Sequence, residues 1–97
     1  MLKLVFGLVL GVAAFGTFTP KAHAADPGFC ERYARQAVAQ YNRNRSIPGC
    51  FRGANRRWNA DFDGHYGWCL RASYVAARSE GAYRSDGLRG CMIRAGY

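Results

Sequence analysis

The sequence is poor in the residues that usually build a hydrophobic core. From Ala25 to Tyr97, Leu, Ile, Val and Phe together supply only nine of 73 residues. Such a low content is typical of disordered chains, and a domain this small rarely folds on its core alone. Eleven aromatic residues, eleven alanines and four cysteines compensate for this shortage. The sequence therefore predicts one small domain stapled by disulfides, and the length of the chain excludes two domains.

The sequence also lacks an apolar run long enough to cross a membrane. The longest, Leu4 to Phe18, has 15 residues, whereas a spanning helix needs roughly 20. A positive start precedes this run, and the small-x-small string Ala22-His23-Ala24 follows it. This layout is typical of a secretory signal peptide. We expect a signal peptide over residues 1–24, and then a periplasmic or secreted four-cysteine domain over residues 25–97 with no transmembrane span.

The ligand spacing of a metal centre is absent as well. Cys30, Cys50, Cys69 and Cys91 lie 19 to 22 residues apart, and His65 is the one histidine after residue 24. Structural zinc sites need close ligand pairs such as C-x-x-C, whereas an even set of exported thiols forms disulfides. We therefore expect two disulfides, no bound metal and no cofactor.

Three segments of the domain have helical patterns. Asp26-Pro27 is typical of a helix start, and apolar residues then recur at helical spacing to about Arg43. Asp61 or Asp63 can cap a second, shorter helix. A third helix is predicted over residues 74–94, although its glycines weaken it. Its predicted inward residues are Ala76, Tyr83, Leu88, Cys91 and Met92.

Helix geometry predicts how the cysteines pair. If the helices run up, down and up, Cys30 and Cys69 lie near the bottom of the bundle. Cys50 follows the top of the first helix, and Cys91 lies near the top of the third. The fold class is therefore an all-α, disulfide-stapled three-helix bundle with Cys30–Cys69 and Cys50–Cys91. The nested set, Cys30–Cys91 with Cys50–Cys69, is the alternative.

Two short motifs frame this domain. They are Cys30-x-x-Tyr33-Ala34, continued by Ala37-Val38-x-Gln40, and His65-Tyr66-x-Trp68-Cys69. Between and after them stand Cys50, Gly53, Trp58, Asp61, Glu80, Arg84, Leu88 and Cys91. The pattern resembles a small exported four-cysteine domain found in proteins of alphaproteobacteria, over nearly the whole chain after the signal peptide. The resemblance implies export and the fold but no particular activity, and Phe51 stands where members usually have Gly.

One arginine-rich segment is a candidate anion-binding site. Arg52, Arg56 and Arg57 stand beside Phe51 and Trp58. Guanidinium forks fit phosphate, sulfate and carboxylate groups, and they stack on aromatic faces. The sequence therefore predicts anion-binding candidates at Arg52, Arg56, Arg57 and Trp58. The alternative is a solvated loop whose Trp58 fills the core.

A weaker candidate comprises Asp61, Asp63 and His65. Asp61 and His65 are four residues apart, and share a helix face if the second helix begins that early. They could form a small acid–base or metal site. However, Asp-x-Asp-Gly is not the pattern of a calcium loop. The alternative is helix capping with a structural His–Asp contact, so no catalytic residue is assigned.

The charge of the domain completes these expectations. From Ala25 onward there are twelve arginines, no lysine and six acids, and such an excess favours anionic surfaces. We expect a noncatalytic exported module with a binding or structural role. Its expected partners are anionic polymers of the envelope or of the extracellular space, or a partner protein. We expect no specific nucleic-acid recognition. One alternative is a small hydrolytic or lytic enzyme, which would lack a nucleophile–base pair and a phosphate loop. Another is a cationic membrane-active effector, which needs an amphipathic basic helix.

Overall fold

The structure, a computed structural model, describes residues 23–51 and 53–97. Most of the predicted signal peptide, over residues 1–24, lies outside the described residues, and so does Arg52. The described residues form three α-helices and no β-strand, so the predicted all-α fold is confirmed. None of these helices combines the length and hydropathy that a membrane crossing requires.

Helix α1 spans Pro27–Ser46 and organises the domain. It begins where predicted because the Asp26 carboxylate accepts a hydrogen bond of 2.7 Å from the Phe29 N–H. It continues three residues past the predicted end at Arg43 and stops before the buried Ile47. Its buried face consists of Cys30, Tyr33, Ala34, Ala37, Gln40 and Tyr41. This face packs against both other helices, so the apolar side of α1 is turned to the core.

Helices α2 and α3 follow after a long loop. Helix α2 spans Phe62–Arg71, and of the two predicted caps Asp61 is the one used. Helix α3 spans Tyr74–Arg94, the predicted range, because the Ser73 hydroxyl caps its first turn. Only Ala72 and Ser73 separate the two helices, so they are joined by a tight corner.

The two disulfides hold these helices together. Cys30–Cys69 joins α1 to α2, and both cysteines are fully buried. Cys50–Cys91 joins the segment after α1 to α3. The predicted pairing is confirmed and the nested alternative is excluded. The core around Cys30–Cys69 is small, since its other buried members are Ala25, Tyr33 and Ala77.

The inward face of α3 differs from the predicted one. Ala76 and Tyr83 are exposed, whereas their neighbours Ala77 and Arg84 are buried. The two buried residues are seven positions apart and so share one helix face. An arginine is usually found at the surface, but Arg84 has partners in the fold that permit burial. The other predicted inward residues, Leu88, Cys91 and Met92, are half-buried.

The start of the described chain is fixed to the α2–α3 corner. Ala24 forms an isolated antiparallel bridge with Ser73. The Tyr74 N–H donates to the His23 carbonyl at 2.8 Å. Ala25 is buried beneath this bridge. The corner between α2 and α3 is therefore covered by backbone as well as by side chains.

Candidate functional site

A cavity of about 760 Å³ lies between the three helices and the loop before α2. Its volume is within the range of small-molecule sites, about 300–1,000 Å³. Four arginines line it, which are Arg56, Arg57, Arg71 and Arg84. We call it the arginine cavity and treat it as the candidate functional site.

A three-residue ion cluster forms one wall of the arginine cavity. Glu80 accepts hydrogen bonds from Arg57 Nε at 2.5 Å and from Arg57 Nη2 at 3.1 Å. Arg84 Nη1 lies 3.4 Å from the same carboxylate. The bonds to Glu80 raise the pKa of the Arg57 guanidinium above its ordinary value. Because two guanidinium groups share one carboxylate, this Glu80 cluster has a net charge of +1.

Arg84 is the most buried member of the Glu80 cluster, with 1% of its surface exposed. Its Nε donates to Gln40 Oε1 at 3.0 Å, and Gln40 in turn donates to the Ser85 hydroxyl at 2.7 Å. Its guanidinium carbon lies 4.9 Å from the centre of the Tyr33 ring. These contacts permit burial of the charge. The Nη2 atom of Arg84 is also buried, and it makes no hydrogen bond of standard geometry within the described residues.

Aromatic rings form a second wall. Tyr33 and Trp68 stack with ring centres 5.7 Å apart, and 37% of Trp68 is exposed. Burial raises the pKa of the Tyr33 phenol above its ordinary value, and the nearby Arg84 guanidinium opposes this shift. The outer side of the Glu80 cluster is also aromatic, because the Arg57 guanidinium lies 3.9 Å from the centre of the Tyr83 ring. The cavity therefore combines cationic and aromatic surfaces.

The loop before α2 is shaped by two asparagines. The side-chain oxygen of Asn55 accepts from the backbone N–H groups of Arg57 and Trp58, both at 2.9 Å. The Asn59 amide donates to the carbonyls of Asn55 and Arg56, at 2.8 and 3.1 Å. Such Asx-type bonds hold a turn in place without regular secondary structure. They direct Arg57 toward Glu80 and leave Arg56 exposed at the cavity.

The structure separates the predicted anion-binding residues. Arg56 lines the arginine cavity and makes no ion pair with any described residue. Arg57 lines it too, but its guanidinium is bound to Glu80. Trp58 is half-buried, with its ring close to Gly87 of α3. Arg52 lies outside the described residues.

The weaker candidate residues are also divided. Asp61 Oδ1 accepts from the Gly64 N–H at 3.0 Å, which makes this residue the helix cap. His65 Nε2 lies 3.1 Å from the Asn59 carbonyl, so its contact is with backbone and not with an aspartate. Both line the cavity, whereas Asp63 is exposed and does not. Across residues 23–51 and 53–97, no group of three His, Cys, Asp or Glu side chains could hold a metal ion.

Sequence reasoning missed much of the cavity wall. Tyr33, Trp68, Arg71, Glu80 and Arg84 all line the cavity, but none was predicted as a site residue. Two signals were present in the spacing. Trp68 and Arg71 are three apart, and Glu80 and Arg84 are four apart, so each pair shares a helix face. The contribution of α1 through Tyr33 has no comparable local signal.

Comparison of the chain with known proteins finds no matching family model, no matching curated protein and no matching solved structure. The resemblance to the exported four-cysteine domain therefore stays a prediction.

Proposed function

We propose that this chain is a noncatalytic, exported binding module that contacts anionic envelope or extracellular polymers through arginine and aromatic side chains. The observation that carries the proposal is the use of the acidic residues. All but one of the described acids cap a helix or pair with an arginine, so most of the exposed arginines are left without an acidic partner among the described residues. A polyanion is the partner that such a surface would attract.

The acids have two roles within the domain, which are helix capping and ion pairing. Asp26 and Asp61 cap helices α1 and α2. Glu31, Glu80 and Asp86 form ion pairs with arginines. Asp63 is the one described acid with neither role. Because these carboxylates already bind backbone N–H groups or arginines, they neutralise little of the remaining positive charge at the surface.

Seven arginines make no ion pair with the described residues and are exposed. They are Arg32, Arg43, Arg45, Arg56, Arg71, Arg78 and Arg94. Guanidinium groups bind carboxylate and phosphate oxygens with two parallel hydrogen bonds, which favours Arg over Lys for such partners. Arg56 and Arg71 differ from the other five because both line the arginine cavity. They are therefore the contacts that we expect to matter most.

The same geometry favours binding over catalysis. A hydrolase needs a nucleophile within hydrogen-bond reach of a general base that a third group orients. In the arginine cavity, Asp61 is bound to the backbone of α2, and His65 to a backbone carbonyl. Glu80 is held by two arginines. These groups are used to position the backbone and to permit burial of charge.

The two disulfides fit an oxidising location outside the cytoplasm. The polyanions available there include acidic polysaccharide, the phosphates of lipopolysaccharide, peptidoglycan and extracellular DNA. The common chemistry of these partners is a repeated carboxylate or phosphate. Affinity for them should fall steeply as salt rises, because binding releases condensed counterions.

Binding to immobilised polygalacturonate, polyphosphate and neutral dextran tests this proposal. The oxidised protein should bind both polyanions but not dextran at about 50 mM salt, and should elute before about 500 mM. The paired changes Arg56→Ala and Arg71→Ala should weaken binding and reduce its salt dependence. The control pair, Arg32→Ala and Arg78→Ala, removes the same charge outside the arginine cavity.

The outcomes distinguish three situations. A larger loss for the cavity pair than for the control pair supports the proposed site. Equal losses for both pairs would mean that diffuse surface charge binds the polymer and that the cavity does not. Binding to dextran equal to that of either polyanion would refute the proposed function itself.

A further inference from the structure

We propose that the arginine cavity holds a uronic acid unit of an acidic polysaccharide. This inference rests on the proposed function and names the chemistry of its ligand. A uronic acid combines a carboxylate, several hydroxyl groups and an apolar face of C–H bonds. The cavity offers a partner for each of these three features.

The carboxylate is matched by the charge of the cavity wall. Four arginines face two acids there, Asp61 and Glu80. Both acids are already bound inside the domain, one to the backbone of α2 and the other to arginines. Arg56 and Arg71 make no described ion pair and stand on opposite segments, one in the loop and one at the end of α2. Because both line the same cavity, an anion there could be bound by a guanidinium group from each segment.

The back of the cavity is also incompletely neutralised. Arg84 is 99% buried, and within residues 23–51 and 53–97 its one acidic partner, Glu80, is shared with Arg57. Its Nη2 group has no hydrogen bond of standard geometry among the described residues. Buried polar groups in folded proteins are nearly always bonded, and Arg84 lines the cavity with a guanidinium that its described partners bond incompletely. A ligand carboxylate in the cavity would lower the electrostatic energy of this group.

The hydroxyl groups are matched by Asp61. Its Oδ1 atom caps α2 through the Gly64 N–H. Its Oδ2 atom occupies the space that a side chain on Gly64 would need, since a Cβ there would lie 2.5 Å from it. Gly64 and Asp61 both line the cavity, so the absence of a side chain on Gly64 lets this carboxylate oxygen lie at the cavity wall. An oxygen in this place can accept from a sugar hydroxyl, whereas an anion without hydroxyl groups offers it no donor.

The apolar face is matched by Trp68. Its ring is supported from behind by Tyr33 at 5.7 Å, and it remains 37% exposed. The face of an aromatic ring carries negative partial charge, so it attracts the C–H bonds of a sugar but offers nothing to a phosphate. Trp68 and Arg71 are three residues apart on α2, so the stacking surface and a carboxylate donor are adjacent. A site that combines an aromatic face with a guanidinium group should bind a charged sugar more tightly than an anion that has no sugar ring.

Three small probes separate these features. Trigalacturonate carries three carboxylates on sugar rings, trimetaphosphate carries the same charge without sugar rings, and maltotriose is a neutral sugar of the same length. Calorimetry and tryptophan fluorescence with the oxidised protein should detect trigalacturonate binding at least about tenfold tighter than either control. Polyphosphate binding, measured in parallel, reports whether the underlying polyanion surface is present.

Two variants assign the preference to Trp68. Trp68→Leu keeps an apolar side chain but removes the aromatic face, and should weaken trigalacturonate binding about tenfold while changing trimetaphosphate binding less than about twofold. Phe51→Leu is the matched control, because Phe51 is an exposed aromatic residue outside the arginine cavity. Arg71→Gln provides a second test that leaves the stacked rings in place, and should also weaken trigalacturonate binding. Circular dichroism verifies that each variant remains folded.

The possible results lead to different conclusions. Preference for trigalacturonate that disappears in Trp68→Leu supports the uronic acid site. Equal affinity for trigalacturonate and trimetaphosphate, or an unchanged preference in Trp68→Leu, would overturn it but leave polyanion binding intact. Absence of binding to trigalacturonate, trimetaphosphate and polyphosphate alike would overturn both proposals.

Discussion

The Glu80 cluster allows a quantitative test of how the domain tolerates a buried arginine. The change Glu80→Gln removes the carboxylate charge and keeps a side chain of similar size. Arg84, which is 1% exposed, then loses its only ion-pair partner in the described chain. Arg57 also loses its partner, but 40% of its side chain is exposed and water can replace the bond. The effect on stability should therefore come mainly from Arg84.

The magnitudes follow from burial. Removing one partner of a fully buried ion pair costs about 3–5 kcal/mol. The Glu80 side chain is 20% exposed and lies 3.4 Å from Arg84, so we expect Glu80→Gln to lower the free energy of unfolding by about 2–4 kcal/mol. Arg84→Met should cost about 1–3 kcal/mol because Gln40 loses a donor. Arg57→Ala should cost about 1 kcal/mol or less.

The double variant, Glu80→Gln with Arg84→Met, distinguishes coupling from simple addition. If Glu80 mainly neutralises Arg84, removing both should be less destabilising than the sum of the two single changes, by about 1–3 kcal/mol. Urea unfolding followed by circular dichroism measures all four proteins with the disulfides intact. A double variant whose loss equals that sum would refute the reasoning, since the buried arginine would then be stabilised by other groups.

Three further predictions concern pH and two helix glycines, Gly81 of α3 and Gly64 of α2. Burial raises the pKa of Tyr33 above its ordinary value of 10.0; the resulting stability is complete below pH 10 and declines as pH rises through the folded pKa. Tyr33→Phe should flatten this decline in urea titrations, and an unchanged slope would contradict it. Gly81→Ala, where an added Cβ meets nothing within 4 Å, should raise the free energy of unfolding by about 1 kcal/mol. Gly64→Ala should gain less because its Cβ displaces the Asp61 cap; equal gains would contradict this.

Local patterns explain what could be predicted from the sequence. Capping residues determine where a helix begins, and this is why the start of α1 after Asp26 was predicted correctly. With three helices placed, the rise per residue was enough to choose between the two cysteine pairings. The sequence does not decide between Asp61 and Asp63 as the cap of α2. The two aspartates are only two positions apart, and either could precede the helix.

The cavity wall depends on contacts that no local pattern encodes. Arg84 is buried because it reaches Gln40, a residue 44 positions away on α1. Arg57 reaches Glu80 from the loop, 23 positions away. A sequence pattern reports the type of a residue and its neighbours, so it assigns these arginines to the surface. Only the packing of α1, α2 and α3 shows that one of them is buried and that the other is already paired.

The arrangement of the disulfides has a consequence for what a protease can release from the domain. The rings closed by Cys30–Cys69 and Cys50–Cys91 overlap, so residues 50–69 belong to both. A single backbone cut in this stretch leaves the two fragments joined by two covalent links, whereas a cut elsewhere between Cys30 and Cys91 leaves one. The loop that carries Arg56 is irregular and exposed, which makes it the natural place for nicking. A cut in this loop leaves both disulfides as links between the two fragments. A cleaved molecule therefore keeps the two sides of its cavity covalently joined.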